Sequence, residues 1–196
     1  IMKPNAHELA ECVDRELKTL GDVIDAAREL NGWGVNCVIA SLGVDGIIAV
    51  TKSHAIHAHT PPVKVINTVG AGDSTIAGFL SAVTNHPSDK DAFGVGFDVA
   101  EGIASAVQWG AAKVQQPTSG LQSIENLVEA TVELIPNRDH LLGEDAPRHD
   151  PGVVVADEEE IHQRPLEVDR PRRQLIPGPR RAVQHKGHHR PLEQRI

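Results

Sequence analysis

The residues Gly70, Ala71, Gly72 and Asp73 lie between an apolar run and a segment of helical period, in the stretch NTVGAGDSTIAGF from Asn67 to Phe79. A strand that turns through two glycines into a helix leaves backbone N–H groups unpaired at the positive end of the helix dipole. Glycine removes the Cβ atoms that would hold an anion away from those groups, so a phosphate can be bound there by amides alone. The pattern is neither a Walker A loop, since no Lys-Ser/Thr pair follows, nor GxGxxG. Asp73 gives the turn its chemical character. A carboxylate is a poor ligand for phosphate but a sensible general base, able to take the proton of a hydroxyl as that oxygen attacks a phosphoryl group. The amides would then stabilise charge on the transferring group. A bare Gly-x-Gly-Asp reads equally as an aspartate capping a helix beside a tight turn.

The elements that must position this turn alternate along the chain. Helices are predicted over residues 6–17 and 22–30, the second with Val23, Ala26, Ala27 and Leu30 on one face and Asn31-Gly32 as a stop. A continuous apolar strand follows at 35–41, then the turn LGVDG and a strand at 47–51, which together read as a hairpin. Further short strands are expected at 55–59 and 63–67, separated by Pro61-Pro62. The period becomes helical from Asp73 to Thr84, where Gly78 suggests close packing. Helices at 91–109 and 123–135, the latter capped by Ser123, complete the pattern. Buried strands alternating with helices predict an α/β fold with a three-layer α/β/α sheet, while Ile1 to Asn5 reads as the end of a strand entering a loop.

Charge and composition divide the chain at Pro136. Of the 19 Lys and Arg, 11 lie beyond it, balanced by 11 acids, so the net charge of -8 belongs to residues 1–136. An acidic domain is not a nucleic-acid binder, which needs a basic face. No run approaches the roughly 20 apolar residues that span a bilayer, so no membrane partner is expected. Cys12 and Cys37 have no paired spacing, which fits a reducing cytoplasm. Residues 137–196 hold 7 of the 13 prolines and little apolar periodicity, and read as a disordered tail. His54, His57 and His59 could present metal ligands on one strand face, although such residues more often line a solvated edge strand.

Three segments in order resemble the ribokinase-like (PfkB) sugar kinases. NTVGAGDS is similar to the family's D-T-x-G-A-G-D signature, Lys3-Pro4-Asn5-Ala6-His7-Glu8-Leu9 to its N-x-x-E segment, and Ser41-Leu42-Gly43-Val44-Asp45-Gly46 to its nucleotide turn. The resemblance implies a ribokinase-like fold, the C-terminal nucleotide-binding half lying in residues 1–136, with ATP and Mg2+ as cofactors. It implies Asp73 as proton acceptor and Gly70, Ala71 and Gly72 as the anion hole. By the same resemblance, Asn5 and Glu8 lie near the phosphates, with Glu8 reaching Mg2+ through water, a role that suits a hard oxygen donor. Ser41, Leu42, Gly43, Val44, Asp45 and Gly46, with Gly72 and Asp73, belong to the ATP site. Taken singly, Asn5 and Glu8 read equally as a helix-start motif. KPNxxEL, TVGAGDS and the stretch Ala104 to Leu121 are most similar to the phosphosugar branch, the 1-phosphofructokinases and tagatose-6-phosphate kinases. The expected substrate is therefore a small sugar phosphate, phosphorylated on the C6 hydroxyl of fructose 1-phosphate, with the full-length enzyme a homodimer. Asn67 departs from the aspartate common in the wider family. No Gly-Gly sugar-binding stretch occurs. A truncated kinase is accordingly expected, either weakly active or a noncatalytic nucleotide-binding remnant.

Overall fold

A computed structural model describes residues 1–85, 98–136, 154–155 and 158–167. Its helices are α1 (Ala6–Val13), α2 (Leu20–Gly32), α3 (Ala71–Asn85), α4 (Val99–Val114) and α5 (Glu158–Gln163). Its strands are β1 (Cys37–Ser41), β2 (Ile47–Thr51), β3 (His54–His59), β4 (Thr131–Pro136) and β5 (Val154–Val155). They form one sheet in the order β1-β2-β3-β4-β5, antiparallel except for the parallel β4–β5 pair. The N-terminal segment runs parallel to β1, bridging Met2 to Val38 and Asn5 to Ser41.

Alternation along the strands builds the layers. Val38, Ala40, Ile48, Val50, Ala55 and Ile135 face a core completed by α1, α2 and α5. Cys37, Ile39, Ile47, Ala49, Ile56, Ala58, Val132 and Leu134 face α3 and α4 on the other side. With both faces covered, the strands must be apolar on both, which is why their sequence reads as unbroken hydrophobic runs. Burial pushes the Cys37 thiol up to about 11. The α3–α4 contact is close at two glycines. A Cβ on Gly78 would lie 2.8 Å from the Ser105 carbonyl oxygen, and one on Gly102 would lie 2.6 Å from the Phe79 ring. No helix among the described residues is long and apolar enough to cross a membrane.

Three expectations are corrected, and a fourth falls partly outside the described residues. The first helix ends at Val13 rather than at residue 17, because Asp14 takes a left-handed conformation and its N–H turns back to Ala10 and Glu11. Residues 63–67 form no strand; β3 is already flanked by β2 and β4, and the amides of Ile66 and Asn67 donate to the Val114 carbonyl instead. The helix expected at 123–135 is irregular as far as Ala130 and then becomes β4. The Ser123 hydroxyl accepts from the nearby Glu125 amide (3.2 Å) without capping a helix, while β-branched Thr131, Val132 and Ile135 fill the open edge of β3. The expected helix at 91–109 is described only from Asp98, which caps α4 through Glu101; residues 91–97 lie outside the described residues.

The tail expected to be disordered from 137 contains two described stretches that are ordered against the domain. Val154–Val155 pairs with β4, and Ile161 and Leu166 are buried in the α2 core. Leu20 donates its amide to Arg164 O, and Leu166 donates to Lys18 O, each at 2.9 Å. Two apolar anchors fixed by backbone bonds suffice where overall composition suggested none.

Glu133 pins this segment to the sheet. Its carboxylate accepts from Arg164 at 2.9 Å and lies 3.0 Å from His57 Nδ1, while His57 Nε2 lies 2.6 Å from the Asp45 carbonyl oxygen. The hydrogen bond to His57, then Arg164, outweigh burial and hold the Glu133 carboxyl down to about 2. Because the folded value lies below the unfolded one, this stabilisation is present above about pH 4.5 and is lost as pH falls toward 2. Urea midpoints measured from pH 7 to pH 3 are therefore expected to fall less steeply in Glu133→Gln than in the parent; parallel curves would remove Glu133 as the source.

Candidate active site

The N-terminal segment, the start of α3 and the end of α4 converge around the glycine turn. Gly70 has φ 82, a region that L side chains rarely adopt, and a Cβ there would collide with the Ser119 carbonyl oxygen. The chain can therefore pass close under the loop that follows α4 only with glycine at 70. α3 begins at Ala71, whose amide donates to Thr68 O, and Ser74 N and Oγ both donate to Gly70 O. Among the described residues the amides of Gly72 and Asp73 have no partner. These two, with the Gly70 amide, which likewise has no partner among the described residues, and not the Ala71 amide, are the open donors of the turn.

Asp73 stands third in α3 and not at its cap, so the capping reading of the sequence does not describe it. Its carboxylate is exposed and makes no hydrogen bond or ion pair among the described residues. Beside it, a Cβ on Gly72 would lie 3.6 Å from Lys3 Nζ, which places an ammonium next to the open amides. Lys3 is carried there by the parallel pairing of its segment with β1, where Ser41 N donates to Pro4 O at 3.0 Å. The same pairing sets the KPN segment, the Ser41 turn and the start of α3 around one end of β1.

Asn67 holds the turn from below. Its Nδ2 donates to Pro117 O at 2.9 Å and to Thr118 O at 3.3 Å, its Oδ1 accepts from Val69 N, and its carbonyl oxygen accepts from Lys113 Nζ at 3.1 Å. An aspartate could not donate to the two carbonyls, which gives the departure at this position a physical reason. Sequence reasoning assigned Lys3 and Lys113 no role. The only signal for Lys113 is a lone cation in the otherwise apolar end of AVQWGAAKV.

The other expected site residues divide. Asn5 and Glu8 form a capping box, Glu8 N donating to Asn5 Oδ1 at 2.9 Å and Asn5 N to Glu8 Oε2 at 2.8 Å, which leaves Glu8 Oε1 without a partner among the described residues. Gly43, Val44 and Asp45 form a 3-10 turn closed by the bond from Leu42 N to Gly46 O (2.8 Å), with Gly43 at φ 64 and Gly46 at φ 88. A Cβ on Gly46 would meet Ala58 O, so this glycine serves the sheet. Val44 is exposed, whereas the Leu42 side chain is wholly buried in the α1–α2 core. Asp45 faces away toward the tail, its Oδ2 accepting from Glu167 N at 2.7 Å. His57 is held by Glu133 and Asp45, and the described residues contain no group of three His, Cys, Asp or Glu suited to a metal ion.

A family model described as pfkB family carbohydrate kinase matches residues 1–126. The chain is similar to the 1-phosphofructokinase of Haloferax volcanii, 43% identical over 96 residues, which cover 49% of this chain and 32% of the relative. It is 37% identical over 111 residues to the ATP-dependent 6-phosphofructokinase isozyme 2 of Escherichia coli, covering 56% of this chain and 35% of that one. A crystal structure of phosphofructokinase-2 from Escherichia coli in complex with potassium superposes with a TM-score of 0.54 at 32% identity, over 63% of this chain and 38% of the other. The chain thus spans about a third of the length of the curated relatives it matches.

Proposed function

This chain belongs to the pfkB family of carbohydrate kinases, and on that premise we propose that it carries the nucleotide-binding and proton-accepting part of an ATP-dependent sugar-phosphate kinase. The acceptor is the C6 hydroxyl of fructose 1-phosphate, and the product is fructose 1,6-bisphosphate. The observation that carries the reading is the Asp73 carboxylate, unpartnered among the described residues, directly beside the open amides of Gly72 and Asp73. The sugar is chosen on the relatives named 1-phosphofructokinase, of which the Haloferax volcanii protein shares 43% identity.

MgATP, when bound, supplies the phosphoryl group and a divalent charge beside it. The open amides fit that group, since Gly72 places no side chain between them and an approaching phosphate. Gly72 and Asp73 donate their N–H groups to phosphoryl oxygens, and Lys3 adds a positive charge alongside. Asp73 accepts the proton of the attacking hydroxyl. Glu8 Oε1 is the oxygen that remains for the water shell of Mg2+, and the backbone of the Gly43–Asp45 turn borders the nucleotide. The full-length enzyme is read as a cytoplasmic homodimer.

Completion of the chain with the N-terminal part of a 1-phosphofructokinase relative that the match does not cover tests the substrate. ADP release is expected to be fastest with fructose 1-phosphate, ahead of fructose 6-phosphate and tagatose 6-phosphate. Preference for either of the latter overturns the sugar assignment, and no ADP release with any of them overturns the kinase reading.

A further inference from the structure

Lys113 is wholly buried in the last turn of α4, and its Nζ donates to the Asn67 carbonyl oxygen at 3.1 Å. A buried ammonium costs several kcal/mol unless an opposite charge pairs with it. Among the described residues Lys113 forms no ion pair, and a single neutral carbonyl satisfies one of its three N–H donors. Its position tells where the missing negative charge would come from. Lys113 Cε lies 3.5 Å from the point that a Gly70 Cβ would occupy, so the side chain passes directly behind the glycine turn. The carbonyl that it binds belongs to Asn67, the residue that ties this turn to the loop after α4. The cation is therefore built into the rear wall of the turn whose front presents the open amides.

We infer that Lys113 is a positioning residue of the phosphate site, an internal cation that fixes the Asn67 carbonyl and places positive charge behind the Gly70–Gly72 turn. The inference rests on the reading of that turn as the site of the ATP phosphates. Removal of a charge in this place weakens binding of the triphosphate by about 10- to 100-fold, the range for hydrogen bonds to charged groups, and leaves adenosine unaffected. A lysine that merely fills the end of α4, or complements its dipole, would show no such selectivity.

The test uses the 196-residue chain, with affinities for MgATP and adenosine measured calorimetrically and folding followed by thermal melts. Lys113→Met keeps the length and removes the charge, and is expected to lose MgATP affinity selectively. Lys113→Ala is expected to recover it with added propylammonium but not with n-propanol, which fills the same space without charge. This second variant decides the matter if Lys113→Met does not fold. MgATP affinity equal to the parent's in Lys113→Met, equal losses for MgATP and adenosine, or rescue by n-propanol as good as by propylammonium would each make Lys113 a packing residue. A parent chain that binds no MgATP overturns the nucleotide reading itself, and this inference with it.

Discussion

In the kinase completed with the N-terminal part of a relative, Asp73→Asn is expected to lower kcat by about 10²- to 10⁴-fold, the usual range for loss of a general base, while MgATP binding stays close to the parent's. Asparagine keeps the shape of the side chain, and both amides at the turn remain in place. What disappears is the capacity to accept the hydroxyl proton. Stability should hardly change, because the Asp73 carboxylate makes no bond among the described residues and its interaction with the α3 dipole at an exposed position is worth about 0.3–1 kcal/mol. The opposite outcome, a lowered melting temperature with parental turnover, would assign this aspartate to the helix and remove it from the reaction. Single-turnover measurements sharpen the test, since a base acts on the chemical step and not on product release.

The features legible in the sequence are those decided within a few residues. Gly70 and Gly72 announce a turn because only glycine suits the backbone of the one and the open approach to the other. The Asn5–Glu8 spacing is visible as a cap because its partners are three apart. The β1–β2 hairpin is likewise written in the Gly43 and Gly46 turn. What escaped was decided at a distance. Leu127, Val128, Leu134 and Ile135 have spacing that suits a helix, yet residues 131–136 are drawn into a strand by the vacant edge of β3, some 75 residues earlier, where His57 meets Glu133. Ile161 and Leu166 sit in a stretch whose charge conceals them, and their burial depends on α2. Lys113 carries no local sign of burial, which comes only from its place behind Gly70. Local chemistry thus exposed the open face of the candidate site, and tertiary contacts made its back.

The two glycines of the turn should fail in different ways when replaced. Gly70 cannot carry a side chain, since its φ of 82 and the Ser119 carbonyl both oppose one; its substitution disturbs the fold and says little about function. Gly72 has no such constraint. A Cβ there meets only the end of the flexible Lys3 side chain, at an ordinary 3.6 Å. Gly72→Val should therefore fold within about 1 kcal/mol of the parent, the valine helix propensity being slightly better than that of glycine. Its branched methyl groups would nonetheless stand where a phosphate must approach the amides of residues 72 and 73. Loss of two hydrogen bonds to a charged group, each worth about 1.5–3 kcal/mol, corresponds to a fall in MgATP affinity of at least about 100-fold. Calorimetric titration of the 196-residue chain, with a thermal melt as control, separates the outcomes. Retained affinity in a folded Gly72→Val would place the phosphates elsewhere and leave Asp73 without a reacting group to serve. Lost affinity at unchanged stability would locate the transferring group within reach of that carboxylate, because the two residues are consecutive on the first turn of α3.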